Sequence, residues 1–221
     1  MDKQMGPLPW IPPDWLPLAT EVGGVTWFEP IGLGLGNYPA VTYGQPYWEE
    51  YRRRDATDMG RRLTQARIAF VKRYNAGSDM IDIGVGGCRF VKEAGCTGFD
   101  INPLAIEWLK SRGVWRSPLH TACSTMTFWD SLEHAIEWGQ VLGACRHWAF
   151  VSTPIYLGLY DCVRSKHYKP GEHMLYFTNN GLKWFMSQHG FELAGFDNFE
   201  TKLGREAIGT YAFERRKRGP E

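Results

Sequence analysis

The stretch Asp82-Ile83-Gly84-Val85-Gly86-Gly87-Cys88-Arg89-Phe90 constrains this chain more than any other. An apolar run, Met80 to Ile83, breaks there into closely spaced glycines, which reads as a buried strand entering a tight turn and then a helix. Glycines suit such a turn because a side chain would keep the backbone from approaching a bound ligand. Further on, Gly98-Phe99-Asp100 ends a second short strand on a lone carboxylate. In a doubly wound fold that position faces the two ribose hydroxyls of a nucleoside and accepts a hydrogen bond from each.

The acid at Asp82 bears on which nucleoside this is. A dinucleotide site requires Gly-x-Gly-x-x-Gly, with the diphosphate over the helix N-terminus. Counted from Gly84, the third glycine of that pattern falls on Arg89. A carboxylate at Asp82 would also repel a diphosphate, whereas it suits a cationic ligand, so a nicotinamide oxidoreductase ranks below. In these residues the sequence resembles the class I S-adenosylmethionine-dependent methyltransferases, whose first motif is an acid followed by Gly-x-Gly-x-Gly. Their cofactor carries an ammonium and a sulfonium. The third glycine of that family aligns with Cys88, with Gly87 just before it, which implies a slightly altered turn. The resemblance implies cofactor contacts from Asp82, Gly84, Gly86, Asp100 and Ile101, with Phe128 or Trp129 on the adenine side and Asp130 beside them.

The rest of the chain is organised around this unit. Residues 1–46 are rich in Pro, Gly and aromatics without sustained periodicity, and Pro7, Pro9, Pro12, Pro13 and Pro17 forbid a helix. They predict an irregular arm packed on the main body, residues 47–221. A helical pattern runs from Tyr47 to Tyr74, with Met59, Leu63, Ala66, Phe70 and Val71 on one stripe and arginines opposite. Strands and helices then alternate: strand 80–84, helix 88–94, strand 97–100, helix 103–112, a short strand near Val114, strand 124–130, a helix from about 131 to 142, and strand 147–153. A helix from Asn179 to His189 ends at Gly190, and strands Phe191–Phe196 and Ile208–Arg215 meet around Gly204. This order predicts an α/β, Rossmann-like, doubly wound and mostly parallel sheet. The closing antiparallel pair is what the methyltransferase fold adds, and the resemblance spans roughly residues 78 to 215.

A net charge of +1 gives no bulk attraction to nucleic acid or membrane. No apolar run is long enough to span a bilayer. Cys88, Cys96, Cys123, Cys145 and Cys162 are odd in number and form no Cys-x-x-Cys pair, which argues for a reducing cytoplasm.

A second motif lies at the end of the fourth expected strand, in Asp130-Ser131-Leu132-Glu133-His134. It resembles the Asp-x-Leu-Glu-His signature of a methyltransferase subgroup that includes ubiquinone-pathway O-methyltransferases and many small-molecule enzymes. Val151-Ser152-Thr153-Pro154, Pro170-Gly171-Glu172-His173 and Gly190-Phe191-Glu192 follow in the order typical of that subgroup. Asp130, Glu133 and His134 share one turn, and His173 can fold over them. Three readings stand side by side. The four side chains hold a divalent cation, as a similar set does in small-RNA 2′-O-methyltransferases. Alternatively His134 or His173 serves as a base, assisted by Glu133. Or the turn is structural, with Asp130 or Ser131 as a helix cap. Tyr43, Tyr47, Trp48 and Tyr51 form either a lid over the cofactor or a staple for the arm.

The expected function is methyl transfer to an oxygen or nitrogen of a small molecule or modified nucleotide. Near-neutral charge and the lack of an Asn/Asp-Pro-Pro-Tyr motif place duplex nucleic acid below it, and a cofactor-binding module without turnover is the competing class. Arg52, Arg53, Arg54, Arg61 and Arg62, clustered on the surface beside the pocket mouth, would favour nucleic acid instead.

Overall fold

The computed structural model describes residues 17–19, 27–30, 43–134, 138–169, 172–173 and 175–216. In chain order the elements are β1 (Pro17–Ala19), β2 (Trp27–Pro30), α1 (Gln45–Ala56), α2 (Asp58–Lys72), β3 (Met80–Ile83), α3 (Arg89–Ala94), β4 (Thr97–Phe99) and α4 (Pro103–Ser111). There follow β5 (Cys123–Trp129), a 3-10 turn at Leu132–His134, α5 (Trp138–Ala144), β6 (Cys145–Tyr156), α6 (Leu159–Arg164), β7 (Tyr176–Thr178), α7 (Asn179–Gln188), β8 (Phe191–Asp197), α8 (Phe199–Lys202) and β9 (Ile208–Arg215).

The sheet centres on β3, which is parallel to β4 on one side and β5 on the other, with β6 parallel to β5 beyond. β9 runs antiparallel along β6, and β8 antiparallel along β9. The last residues of β6, Ile155 and Tyr156, leave β9 and pair with β7. β7 carries β2, and β2 carries β1, so the two short described pieces of the arm are strands that extend the sheet. The remainder of residues 1–42 lies outside the described residues.

Side chains alternate between two cores, as the pleat requires. Along β5 and β6, Met126, Phe128, Ala149 and Val151 join Leu142, Phe185 and Met186 of α5 and α7. Trp129, Trp148 and Phe150 join Phe70, Phe90, Val91 and Leu109 of α2, α3 and α4. Both faces of the parallel strands are covered, which is why β3 is buried at all four positions.

Several expectations are corrected. The helix expected over Tyr47–Tyr74 breaks at Thr57, whose hydroxyl donates to Arg54 O at 2.6 Å and accepts from Gly60 N at 3.0 Å, closing α1 and capping α2. The strand near Val114 is only one parallel bridge, Gly98 to Trp115. In place of a helix from 131 there is the tight 3-10 turn, with α5 starting at Trp138.

Candidate active site

The glycine turn is built as its residues dictate. Gly84 and Gly86 have φ of +77° and +52°, and Cys88, where the family motif has glycine, has φ of +70°. Gly84 N donates to Phe99 O at 2.8 Å, tying the turn to β4. A Cβ on Gly84 would lie 2.6 Å from Ser131 Cβ, so the turn and the segment after β5 touch. Ser131 Oγ closes that contact by donating to Ile83 O at 2.5 Å.

Two carboxylates frame the turn. Asp82, 1% exposed, accepts from Thr127 Oγ1 at 2.6 Å. Burial pushes its carboxyl up to about 7 against the opposing effect of that hydrogen bond. Asp100 accepts from Val85 N at 2.9 Å and Asn102 N at 2.8 Å, one through each oxygen, which fixes the group and leaves each oxygen a further lone pair. Beside it, the apolar side chain of Ile101 is 65% exposed.

A third acid at the turn comes from α1 and was not singled out in the sequence. Asp55 accepts from Arg89 N at 3.0 Å, and its own carbonyl accepts from Arg89 Nε at 2.6 Å. A side chain on Gly87 would overlap the Asp55 carboxylate, so Gly87 is bare because Asp55 lies against it. Arg89, read as the break in a dinucleotide pattern, thus anchors α1. A diphosphate over α3 would meet Asp55, Asp82 and Asp100 together, which opposes it.

A second cluster lies at the turn after β5. Among the described residues, Glu133, His134 and His173 bring one ligand atom each to within 4.8 Å of one another. The two imidazoles meet edge to face at 4.7 Å. His134 Nδ1 is 2.9 Å from the Glu172 carbonyl, so Nδ1–H donates and Nε2 keeps its lone pair. Leu175 N donates to the Glu133 carbonyl at 3.1 Å, pinning the turn to the segment that carries His173. Among the described residues, His173 Nδ1 and Tyr156 Oη are buried without a hydrogen-bond partner. Burial, reinforced by the Asp130 charge, raises the Glu133 carboxyl. Burial lowers His134, and burial with the His134 ring lowers His173 to about 3.

Asp130 does not join this group. It turns back at φ +57° and is gripped by Arg67 at 2.9 Å and by Arg205 at 2.8 and 3.0 Å. Burial would raise its carboxyl, but Arg205 and Arg67 outweigh that and hold it below the usual range. Both arginines also bind Glu200, which is fully buried and accepts from Ser152 Oγ at 2.5 Å. Phe128 is wholly buried in the core on the α5–α7 side. Trp129 faces the opposite layer, against Phe90 at 5.2 Å and under the Arg67 guanidinium at 5.0 Å.

Over the turn lie aromatics of α1 and of the residues just before it. Tyr51 would be 3.1 Å from a Cβ on Gly86, Tyr47 stacks on Tyr51 at 4.4 Å, and Tyr43 meets Tyr47 edge-on at 5.0 Å. Burial, with the charges of Glu172 and Asp100, pushes the Tyr43 phenol up to about 12, so this ring sits near both halves of the site.

No protein-family model matches the sequence, and no curated protein matches it. Solved structures do. Magnesium protoporphyrin IX methyltransferase from Synechocystis PCC 6803, with bound S-adenosylhomocysteine, is similar at a TM-score of 0.57 and 13% identity, over 79% of this chain and 96% of that one. The fold is that of the class I S-adenosylmethionine-dependent methyltransferases. One such methyltransferase from Thermotoga maritima matches at a TM-score of 0.56 and 14% identity, over 77% of this chain and 97% of that one. The N-methyltransferase NodS from Bradyrhizobium japonicum WM9 matches at 0.51 and 12%, over 74% and 99%. The residues present fit the cofactor these folds use: acids for its cationic groups, a bare turn, and Asp100 with free lone pairs for a ribose.

Proposed function

We propose that this protein is an S-adenosylmethionine-dependent methyltransferase that acts on an oxygen or nitrogen of a small molecule or modified nucleotide. The cluster at the acceptor side favours a hydroxyl. One observation carries the reading: Glu133 and His134, with His173 gathered against them, belong to the turn whose Ser131 packs against Gly84 of the glycine loop. Donor and acceptor chemistry are thereby held next to each other, which is the main requirement of an in-line displacement.

Glu133, His134 and His173 suit a divalent first-row cation, since one carboxylate and two neutral imidazoles converge with unshared lone pairs. Such a cation supplies a lowered pKa to a hydroxyl beside it. The Glu172 carbonyl accepts from His134 Nδ1–H, which leaves Nε2 as the nitrogen with a lone pair to offer. The Tyr43–Tyr47–Tyr51 stack excludes water from above. Asp130 stays outside the set and orients the turn through its arginine pairs.

A small acceptor is supported by the α1–α2 surface. Arg53 and Arg54 share Glu50, and Arg61 pairs with Asp58, so two carboxylates interrupt this run of arginines and offset part of its charge. The five buried, free cysteines suit the reducing cytoplasm. No helix among the described residues is long and apolar enough to cross a membrane.

The test uses purified protein, methyl-labelled S-adenosylmethionine and a small-molecule extract. Label should pass into a small product, chelator should stop it, and Mn²⁺ or Zn²⁺ should restore it. Co²⁺ added to wild type should give an absorption band that His173→Ala loses. Transfer that survives chelator, with no Co²⁺ band, would leave His134 as a base and remove the cation. No transfer to any acceptor, despite cofactor binding, would leave a module without turnover.

A further inference from the structure

Strand β6 changes partner before it ends. Up to Pro154 it pairs with β9, whereas Ile155 and Tyr156 pair with β7. At this junction β7 and α7 on one side and the β8–β9 pair on the other border a cleft of about 380 Å³. That is the size of a small-molecule site. Among the described residues, its lining includes none of the glycine turn and none of the Glu133–His134–His173 cluster, so it is separate from the site described above.

The floor of the cleft is apolar, built from Ile155, Ile208 and Tyr211. Gly209 lies among them, and a Cβ there would sit 2.7 Å from the Tyr211 ring and 3.0 Å from Ile155 Cγ1. The absence of a side chain at Gly209 therefore lets Tyr211 and Ile155 close the floor. On the β8 wall, Phe196 meets the Tyr211 ring at 5.0 Å and is 54% exposed, and Leu193 is 40% exposed. Two large apolar side chains are thus left open to solvent on one concave surface, where a flat hydrophobic body would cover both.

The polar groups of the cleft are donors. Lys183, on the α7 wall, is half-buried and makes no ion pair or hydrogen bond among the described residues. Asn179 Oδ1 accepts from Tyr211 Oη at 3.1 Å, which commits the oxygen and leaves the amide NH₂ to donate. No aspartate or glutamate lines the cleft among the described residues. The nearest acid along β8, Asp197, is taken by Arg73 at 2.6 Å. One uncancelled positive charge over an apolar floor calls for one negative charge on an apolar ligand.

We propose that this cleft is a second binding site, which takes a small molecule with a flat apolar body and a single carboxylate. The body lies on Tyr211 beside Phe196, and the carboxylate faces Lys183 and the Asn179 amide. This site goes beyond the methyl-transfer reading and stands whether or not that reading holds.

The experiment follows backbone amide shifts of the full chain during titration with 2-naphthoate, and with 2-naphthamide as its uncharged twin, in wild type, Lys183→Met and Phe196→Ala. Wild type should show saturable shifts at residues 193–198 and 207–211, with naphthoate bound about tenfold more tightly than naphthamide. Lys183→Met should lose that preference while binding naphthamide as wild type does. Phe196→Ala should weaken both probes about fivefold through lost apolar contact. If Lys183→Met fails to fold, the comparison of the two probes in wild type and in Phe196→Ala decides. No saturable shifts at these residues, or an undiminished preference for naphthoate in Lys183→Met, would overturn the site. Shifts confined to residues 84–88 and reversed by S-adenosylhomocysteine would overturn it too, because the probe would then occupy the glycine turn instead.

Discussion

Arg205→Met tests whether the four-residue charge cluster holds the acceptor-side turn in place. Arg205 donates to both Asp130 oxygens and contacts Glu200, so its loss leaves Arg67 alone to neutralise two carboxylates. An uncompensated buried charge costs about 3–5 kcal/mol. Arg67 still reaches both acids, Ser152 still donates to Glu200, and Asp130 keeps 29% of its side chain exposed. Those compensations reduce the expected loss to about 2 kcal/mol. For a chain of this size that corresponds to a fall in Tm of about 4–8 °C. The sign with pH follows from Asp130, whose folded pKa is depressed. Its contribution is present above the unfolded carboxylate range and is lost as pH falls through the folded value, so the gap between variant and wild type should narrow in acid. Arg205→Lys keeps the charge but not the fork, and should recover about half. Calorimetric scans at neutral and acid pH make the comparison. A Met variant melting within about 1 °C of wild type at pH 7.5 would refute the argument.

Asp82→Asn should stabilise the ligand-free protein as pH rises from about 4 through 7, because the raised carboxyl makes ionisation inside the fold unfavourable over that window, by at most about 1.4 kcal/mol per pH unit. The same change should weaken S-adenosylhomocysteine binding and abolish the proton release that is expected of wild type on binding at pH 6–7. Titrations in buffers of different ionisation enthalpy check both, and equal proton release in the two proteins would count against the assignment. Ile101→Glu should leave Tm unchanged, as the side chain is exposed, yet lower ligand affinity about tenfold or more through lost apolar cover. An unchanged affinity would take Ile101 out of the adenine site.

Local signals made half of the site legible. The strand, the positive-φ glycines and Asp100 form one short unit whose backbone conformation demands those residue types. The β8–β9 pair was legible for the same reason. Other features depend on partners far away in sequence. Asp130 looked like a cap, but arginines 63 and 75 residues distant turn it left-handed and shorten the expected helix into a 3-10 turn. Asp55, Glu200 and Arg205 sit among ordinary surface charges, with no spacing to mark them. The side to which Phe128 points was unreadable because β5 is covered on both faces, so both parities are apolar. Thr57 lies within an unbroken helical stripe, and only its two hydrogen bonds reveal the break between α1 and α2.

The central claim is that the Asp82–Asp100 unit holds S-adenosylmethionine, and calorimetry with S-adenosylhomocysteine addresses it directly. Wild type should bind one ligand per chain. Asp100→Ala should bind about a hundredfold more weakly, since two hydrogen bonds to a charged acceptor are worth about 3 kcal/mol together. No heat from wild type, or equal affinity in the Asp100→Ala variant, would contradict the account.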